Sequence, residues 1–264
     1  MNRSYASAPT LKLTSQIYAR RTARENSTVA AMHRRGVPSC GIATNRVPAL
    51  IREARAAPEF AAFVAMAAPL IAGAPRGDGH PVLVLPGLGG SDTSTRPLRW
   101  FLDRLGYRTY GWGRGRNVGL SRHVSAALNE RLAVLADEHG RNVSLVGWSL
   151  GGVYAGALAR HAPHRVRTVI TLGSPLAGQR RVPADIPTTS VYSRSDGIVP
   201  WRASVLPAAP MSENVQVRGS HLGLGHNPPV LVVVADRLAQ PEQAWRPFAA
   251  PRWARRWIPA PAPV

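Results

Sequence analysis

Apolar positions along this chain cluster in short aliphatic and β-branched runs, each closed by glycine, proline or small polar residues. Pro81-Val82-Leu83-Val84-Leu85 is unbroken by charge, as a parallel strand buried on both faces must be. Asn142 to Val146, Val166 to Leu172, Thr188 to Ser193 and Glu213 to Val217 predict four more strands. Helical segments fall between them. Ser94 or Thr95 caps a helix through Pro97 to Leu105, and an alanine-rich run spans Val153 to Arg160. His226-Asn227-Pro228-Pro229 starts a last helix that contains Asp236. Strands alternating with helices predict an α/β fold: a mostly parallel central sheet with helices on both faces.

This pattern occupies residues 76–240, which we read as a single core domain. Residues 1–47 are rich in Arg, Ser and Thr, poor in acids and without an apolar period, and read as a flexible basic extension. Residues 48–75 read as a helix pair, Ala49 to Arg55 and Phe60 to Leu70, broken at Pro58. Phe60 to Ala74 is uncharged but shorter than the ~20 residues of a membrane span. Packing on the core is its leading expectation, ahead of an anchor lying on a membrane or a signal segment. Residues 241–264 form a tail rich in Pro, Trp and Arg.

Chemistry enters at Gly147-Trp148-Ser149-Leu150-Gly151, between the strand ending at Val146 and the helix of Val153 to Arg160. A serine in a tight strand–turn–helix connection stands exposed at the carboxyl end of a sheet, and glycines flank it because Cβ atoms would collide with neighbouring backbone. Such a hydroxyl is a weak nucleophile, so it needs a base, a group to orient that base, and donors for a developing oxyanion.

Asp196, in the loop after Thr188 to Ser193, is the favoured acid. Its ordinary role would be an Asx turn before Gly197. Asp185 and Asp236 are rivals, in a proline-containing loop and inside a helix. Two histidines follow the last strand: His221, flanked by glycines, and His226, nearer the next helix; His221 is the favoured base. His33, His80, His123, His139, His161 and His164 are expected at the surface or as caps. The oxyanion donors would be the amides of Leu150, at a helix start, and of Leu88, in Pro86-Gly87-Leu88-Gly89-Gly90-Ser91. No lysine follows those glycines, which argues against a phosphate loop. Trp148, Ile198, Val199 and Trp201 are candidate pocket walls by loop position, the two tryptophans equally suited to core packing.

Together these residues resemble the α/β-hydrolase superfamily, and within it the small bacterial lipases and esterases with little or no lid. The resemblance runs from about Gly79 to Leu238. It rests on Val-Leu-Pro-Gly-Leu-Gly-Gly from Val84, Gly-Trp-Ser-Leu-Gly-Gly from Gly147, Tyr-Ser-Arg-Ser-Asp-Gly-Ile-Val from Tyr192 and Gly-Ser-His-Leu-Gly-Leu from Gly219. It implies an α/β-hydrolase fold, a triad of Ser149, Asp196 and His221, Leu88 and Leu150 as oxyanion hole, and carboxylic-ester hydrolysis through an acyl-enzyme. The His-x-Gly-Leu pattern of such lipases also favours His221 over His226. An acyltransferase or thioesterase on the same triad is the alternative, and a non-catalytic membrane- or nucleic-acid-binding protein a weaker one. Only about a dozen residues separate Gly173-Ser174-Pro175 from the next strand, too few for a helical cap, so an open site is expected.

Net charge is +19, with ten Lys+Arg against two acids in Met1–Pro58 and five against one in Arg237–Val264. The ends are therefore the most basic parts for their length. Arginines interleaved with Trp245, Trp253 and Trp257 suit the surface of an anionic membrane, and equally a tail packed on the domain. Nucleic acid is the less expected partner. An acyl ester or lipid is the expected substrate, and the expected compartment is the cytoplasm, with peripheral membrane contact and secretion both left open. Cys40 is the lone cysteine, and no cofactor or metal motif is present, so none is expected.

Overall fold

The structure, a computed structural model, describes residues 51–260. The 1–47 extension, with Cys40 and His33, lies outside them. In chain order the elements are α1 (Ala56–Gly73), β1 (Pro81–Leu85), α2 (Arg96–Leu105), β2 (Arg108–Gly111), α3 (Arg122–His139), β3 (Val143–Trp148), α4 (Leu150–His161), β4 (Val166–Leu172), β5 (Thr188–Ser193), α5 (Trp201–Ser204), β6 (Ser212–Val217) and α6 (Pro228–Leu238). The strands form one sheet in the order β2-β1-β3-β4-β5-β6, and every neighbouring pair is parallel.

Alternation along the strands builds two cores. Val82 and Val84 of β1, with Val146 of β3, pack beneath α1, α2 and α6; Leu83 and Leu85 of β1, with Leu145 of β3, pack beneath α3 and α4. β1, β4 and β5 are buried along their whole length because helices cover both faces. β2, the edge strand, is half-exposed and polar, which hides it in the sequence pattern. The chain leaves β1 toward one edge and β3 toward the other. The crevice between their carboxyl ends is therefore the switch point of the sheet, where such folds place their ligands.

The amino-terminal helix departs from expectation. α1 runs through Pro58 without a break, because Pro58 lies in its first turn, where no backbone donor is required. With the turn before it the helix covers 23 residues, Ile51–Gly73, long and apolar enough to cross a membrane by length and composition. One side of it, Phe63, Ala67 and Leu70, is buried in the core, while more than half of α1 is exposed. The carboxyl tail also packs on the domain. Ala254 and Ile258 are buried, Arg218 N donates to Trp257 O (2.9 Å), and Trp253 remains exposed. Among the described residues no helix interrupts the β4–β5 connection.

Candidate active site

Ser149 is the one non-glycine described residue with positive φ (φ 53°, ψ −120°). The turn from β3 into α4 imposes that strained conformation, and the hydroxyl forms no capping bond to the helix it precedes. Glycines make the turn feasible. A Cβ on Gly147 would strike the Gly151 backbone, and one on Gly151 would strike the Leu85 carbonyl. Gly87 of the β1 loop lies so near that its Cβ would stand 3.0 Å from Ser149 Cβ. The glycine loop and the serine thus meet at the switch point.

Asp196 and His221 also meet, although 25 residues separate them. His221 Nδ1 lies 2.6 Å from Asp196 Oδ2, both side chains almost wholly buried. Asp196 Oδ1 accepts from Ile198 N (2.8 Å) and Val199 N (2.7 Å), so the carboxylate cannot rotate away. Trp148, beside the serine, donates from Nε1 to His221 O at 3.1 Å. Gly173 couples the two halves: its Cα faces Asp196 Oδ2 and His221 Nδ1, while Leu172 O accepts from Ser149 N (2.8 Å).

The glycine loop is pinned by Asn117, which sequence reasoning missed. This fully buried residue donates from Nδ2 to Pro86 O (2.9 Å), and its backbone carbonyl and amide bond Gly89 N and Gly90 O (2.7 Å each). Tyr154 OH and Gly119 N donate to its Oδ1, at 3.0 Å each. Gly90 N is taken by Gly87 O, whereas the Leu88 amide finds no acceptor among the described residues. The pinning signal, an Asn in a glycine- and arginine-rich loop after a polar edge strand, is too common to have stood out.

The other candidates lie elsewhere. His226 Nε2 donates to Ala56 O (3.2 Å) and its ring packs edge-on against Phe60, so it braces α1; burial lowers its pKa. Asp185 is exposed, and Asp236 pairs with Arg237. Trp201 stacks on Tyr192 between Arg194 and Arg202, Val199 is buried, and Ile198 is exposed. A cavity of about 360 Å³, lined by Gly152, Thr171, Leu176 and Arg202 among others, lies beside α4.

His80, expected at the surface, is fully buried. Its Nδ1 bonds Asp78 Oδ1, and Nε2 lies 2.8 Å from Ser144 Oγ. Serine, histidine and aspartate thus line up a second time, at the amino ends of β1 and β3. Ser144 is inaccessible, lies within a strand and has no helix start beside it, so this line is a structural network. Burial draws the His80 pKa down to about 4, against the pull of Asp78. Burial would raise the Asp78 carboxyl, but bonds from His80 and Arg141 prevail and hold it far below the usual range.

No protein-family model and no curated protein matches this sequence. Solved structures do match in fold. Aspergillus fumigatus lipase B aligns with a TM-score of 0.52 at 15% identity, over 61% of this chain and 52% of that one. Bacillus licheniformis lipase BlEst2 aligns in its mature form (0.50, 18%, over 62% and 94%) and in its propeptide form (0.51, 17%, over 66% and 53%). The chain therefore has the α/β-hydrolase fold.

Proposed function

We propose that the chain is a serine hydrolase of carboxylic esters, with Ser149 as nucleophile, His221 as general base and Asp196 as the group that orients it. The observation that carries this reading is the buried Asp196–His221 pair, 2.6 Å apart, bonded through Trp148 to the turn that holds Ser149 at positive φ. Ser149 Oγ attacks the ester carbonyl carbon while its proton passes to His221 Nε2, and the carbonyl π electrons move onto oxygen. The Leu88 and Leu150 amides receive that oxyanion. As it collapses, the alcohol leaves with the proton from His221. Water then attacks the acyl-enzyme, giving its proton to the same nitrogen, and Ser149 is regenerated as the acid departs.

Exposed apolar side chains support a lipidic substrate. Leu88, Ile198 and Leu222 project from the three loops that would carry donor, acid and base. Val118 and Leu120 follow the pinning Asn117, and Phe60 lies on α1. Exposed apolar groups on the loops that would carry the chemistry favour an acyl chain or a lipid aggregate over a polar ester. The lipases among the fold neighbours agree with this choice, and membrane contact is part of the same proposal.

Labelling with a fluorophosphonate probe tests the nucleophile, with p-nitrophenyl butyrate and palmitate turnover in parallel. We expect labelling and turnover in the wild type and neither in Ser149→Ala. Labelling that survives this substitution would refute the mechanism. Product analysis with competing alcohols then reads whether water is the acyl acceptor.

A further inference from the structure

Glu53 stands 143 residues before Asp196 in sequence, yet its side chain is buried against the loops that carry Asp196 and His221. Oε1 accepts from Gly197 N (2.8 Å) and His221 N (3.0 Å), and Oε2 accepts from Leu222 N (2.7 Å). One carboxylate thereby joins the residue after the acid to the histidine itself. Glu59, in α1, holds the same histidine loop from its other end: Ser220 donates to it from N and from Oγ, both at 2.8 Å. A Cβ on Gly223 would overlap Glu59 Oε2, so the loop is shaped around that carboxylate. Arg55 adds a bond to Ser195 O (3.0 Å).

Neither glutamate forms an ion pair among the described residues. A buried carboxylate without a cation is compensated only by its hydrogen bonds, and here those donors are the amides of the two loops. If the loops drift, the charge loses its compensation, so loop geometry and carboxylate burial enforce one another. We infer that Glu53 is a positioning residue, whose carboxylate fixes the Asp196 loop against the His221 loop, with Glu59 as its second anchor. The segment before β1 is then part of the catalytic apparatus. This inference rests on the serine-hydrolase reading.

The test uses the full chain with Glu53→Gln, which keeps the shape but replaces one acceptor oxygen by a donor facing a donor. Misplacement of a base by about 1 Å lowers kcat about 100-fold, so kcat for p-nitrophenyl butyrate and the fluorophosphonate labelling rate should fall together by that order. KM should stay within about threefold, since no substrate contact is removed. Gly223→Ala, which displaces Glu59, should lower kcat in the same sense. Wild-type kcat in a folded Glu53→Gln protein would overturn the inference. Should that variant fail to fold, amide hydrogen exchange of the wild type decides: Gly197, His221 and Leu222 must be protected, and exchange at the rate of open loops would overturn the inference. An unlabelled, inactive wild type would instead refute the hydrolase reading on which it rests.

Discussion

Asp196 meets His221 with one carboxylate oxygen, at 2.6 Å, because its other oxygen is held by the Ile198 and Val199 amides. In Asp196→Asn those two amides would select the side-chain oxygen and turn the NH2 toward His221 Nδ1. The imidazole would then be held in the tautomer that cannot accept from Ser149. We expect kcat at neutral pH to fall on the order of 10⁴-fold, with KM little changed, as loss of triad orientation does elsewhere. Steady-state kinetics with p-nitrophenyl butyrate check this, and a loss under tenfold would remove Asp196 from the mechanism.

Asn117 supplies a second test, remote from the nucleophile. Asn117→Ala leaves Pro86 O, Tyr154 OH and Gly119 N without their bonds, at a cost of about 1–3 kcal/mol in stability. The glycine loop should loosen, and kcat fall about 10- to 100-fold through a displaced Leu88 amide. Urea denaturation and kinetics on one preparation separate the two effects. Unchanged kcat in the folded variant would mean that the loop donor is not used.

What sequence showed, and what it hid, follows from the range of the contacts. β1, β4 and β5 coincide with runs read directly from the chain, β1 because it is apolar throughout and β4 and β5 because β-branched and aromatic residues dominate them. The Ser149 elbow was legible because strand, turn and helix are contiguous and steric demands force glycine at Gly147 and Gly151. Glu53 and Asn117 were not legible. Their partners are mostly backbone amides and carbonyls, which every residue possesses, and for Glu53 these lie at 144 to 169 residues' separation. His80 was misjudged for a different reason: its burial follows from its place immediately before β1, beside Ser144 of the neighbouring strand, a pairing the pattern does not reveal. Pro58 misled because the pattern alone did not reveal that the helix begins at Ala56, which puts this proline in a first turn; Pro69 lies inside the same helix.

Exposed apolar side chains outside the proposed triad should matter for aggregated substrate and not for chemistry. Val64 of α1 and Val118 and Leu120 of the loop that begins at Asn117 are exposed, and none belongs to the proposed catalytic groups. Replacing all three by serine should leave p-nitrophenyl butyrate turnover within about twofold, since the reacting geometry is unchanged. Turnover of a micellar long-chain ester should drop about tenfold, which corresponds to roughly 1.4 kcal/mol from partial burial of three side chains in lipid. Equal losses on both substrates would point to a fold defect instead, and no loss on either would argue against a lipid-facing rim.

His80 gives the protein a pH-dependent stability that is independent of catalysis. Folded, the ring is neutral, donating from Nδ1 to Asp78 and accepting from Ser144 Oγ, and its pKa is drawn down to about 4. In the unfolded chain the ring regains its ordinary value near 6.5. Between these values the unfolded state binds the extra proton, so stability rises with pH across the window. The contribution is complete above about pH 6.5 and is lost as pH falls toward 4, by about 3 kcal/mol in all. The depressed Asp78 carboxyl acts in the same direction, but only below about pH 4, where unfolded carboxylates take up protons. Urea midpoints at pH 7 and pH 4.5 should therefore converge in His80→Gln relative to wild type, whatever the other groups contribute. An equal drop in both proteins would show that His80 accepts its proton without unfolding the chain, and that the buried network at the amino ends of β1 and β3 tolerates the charge.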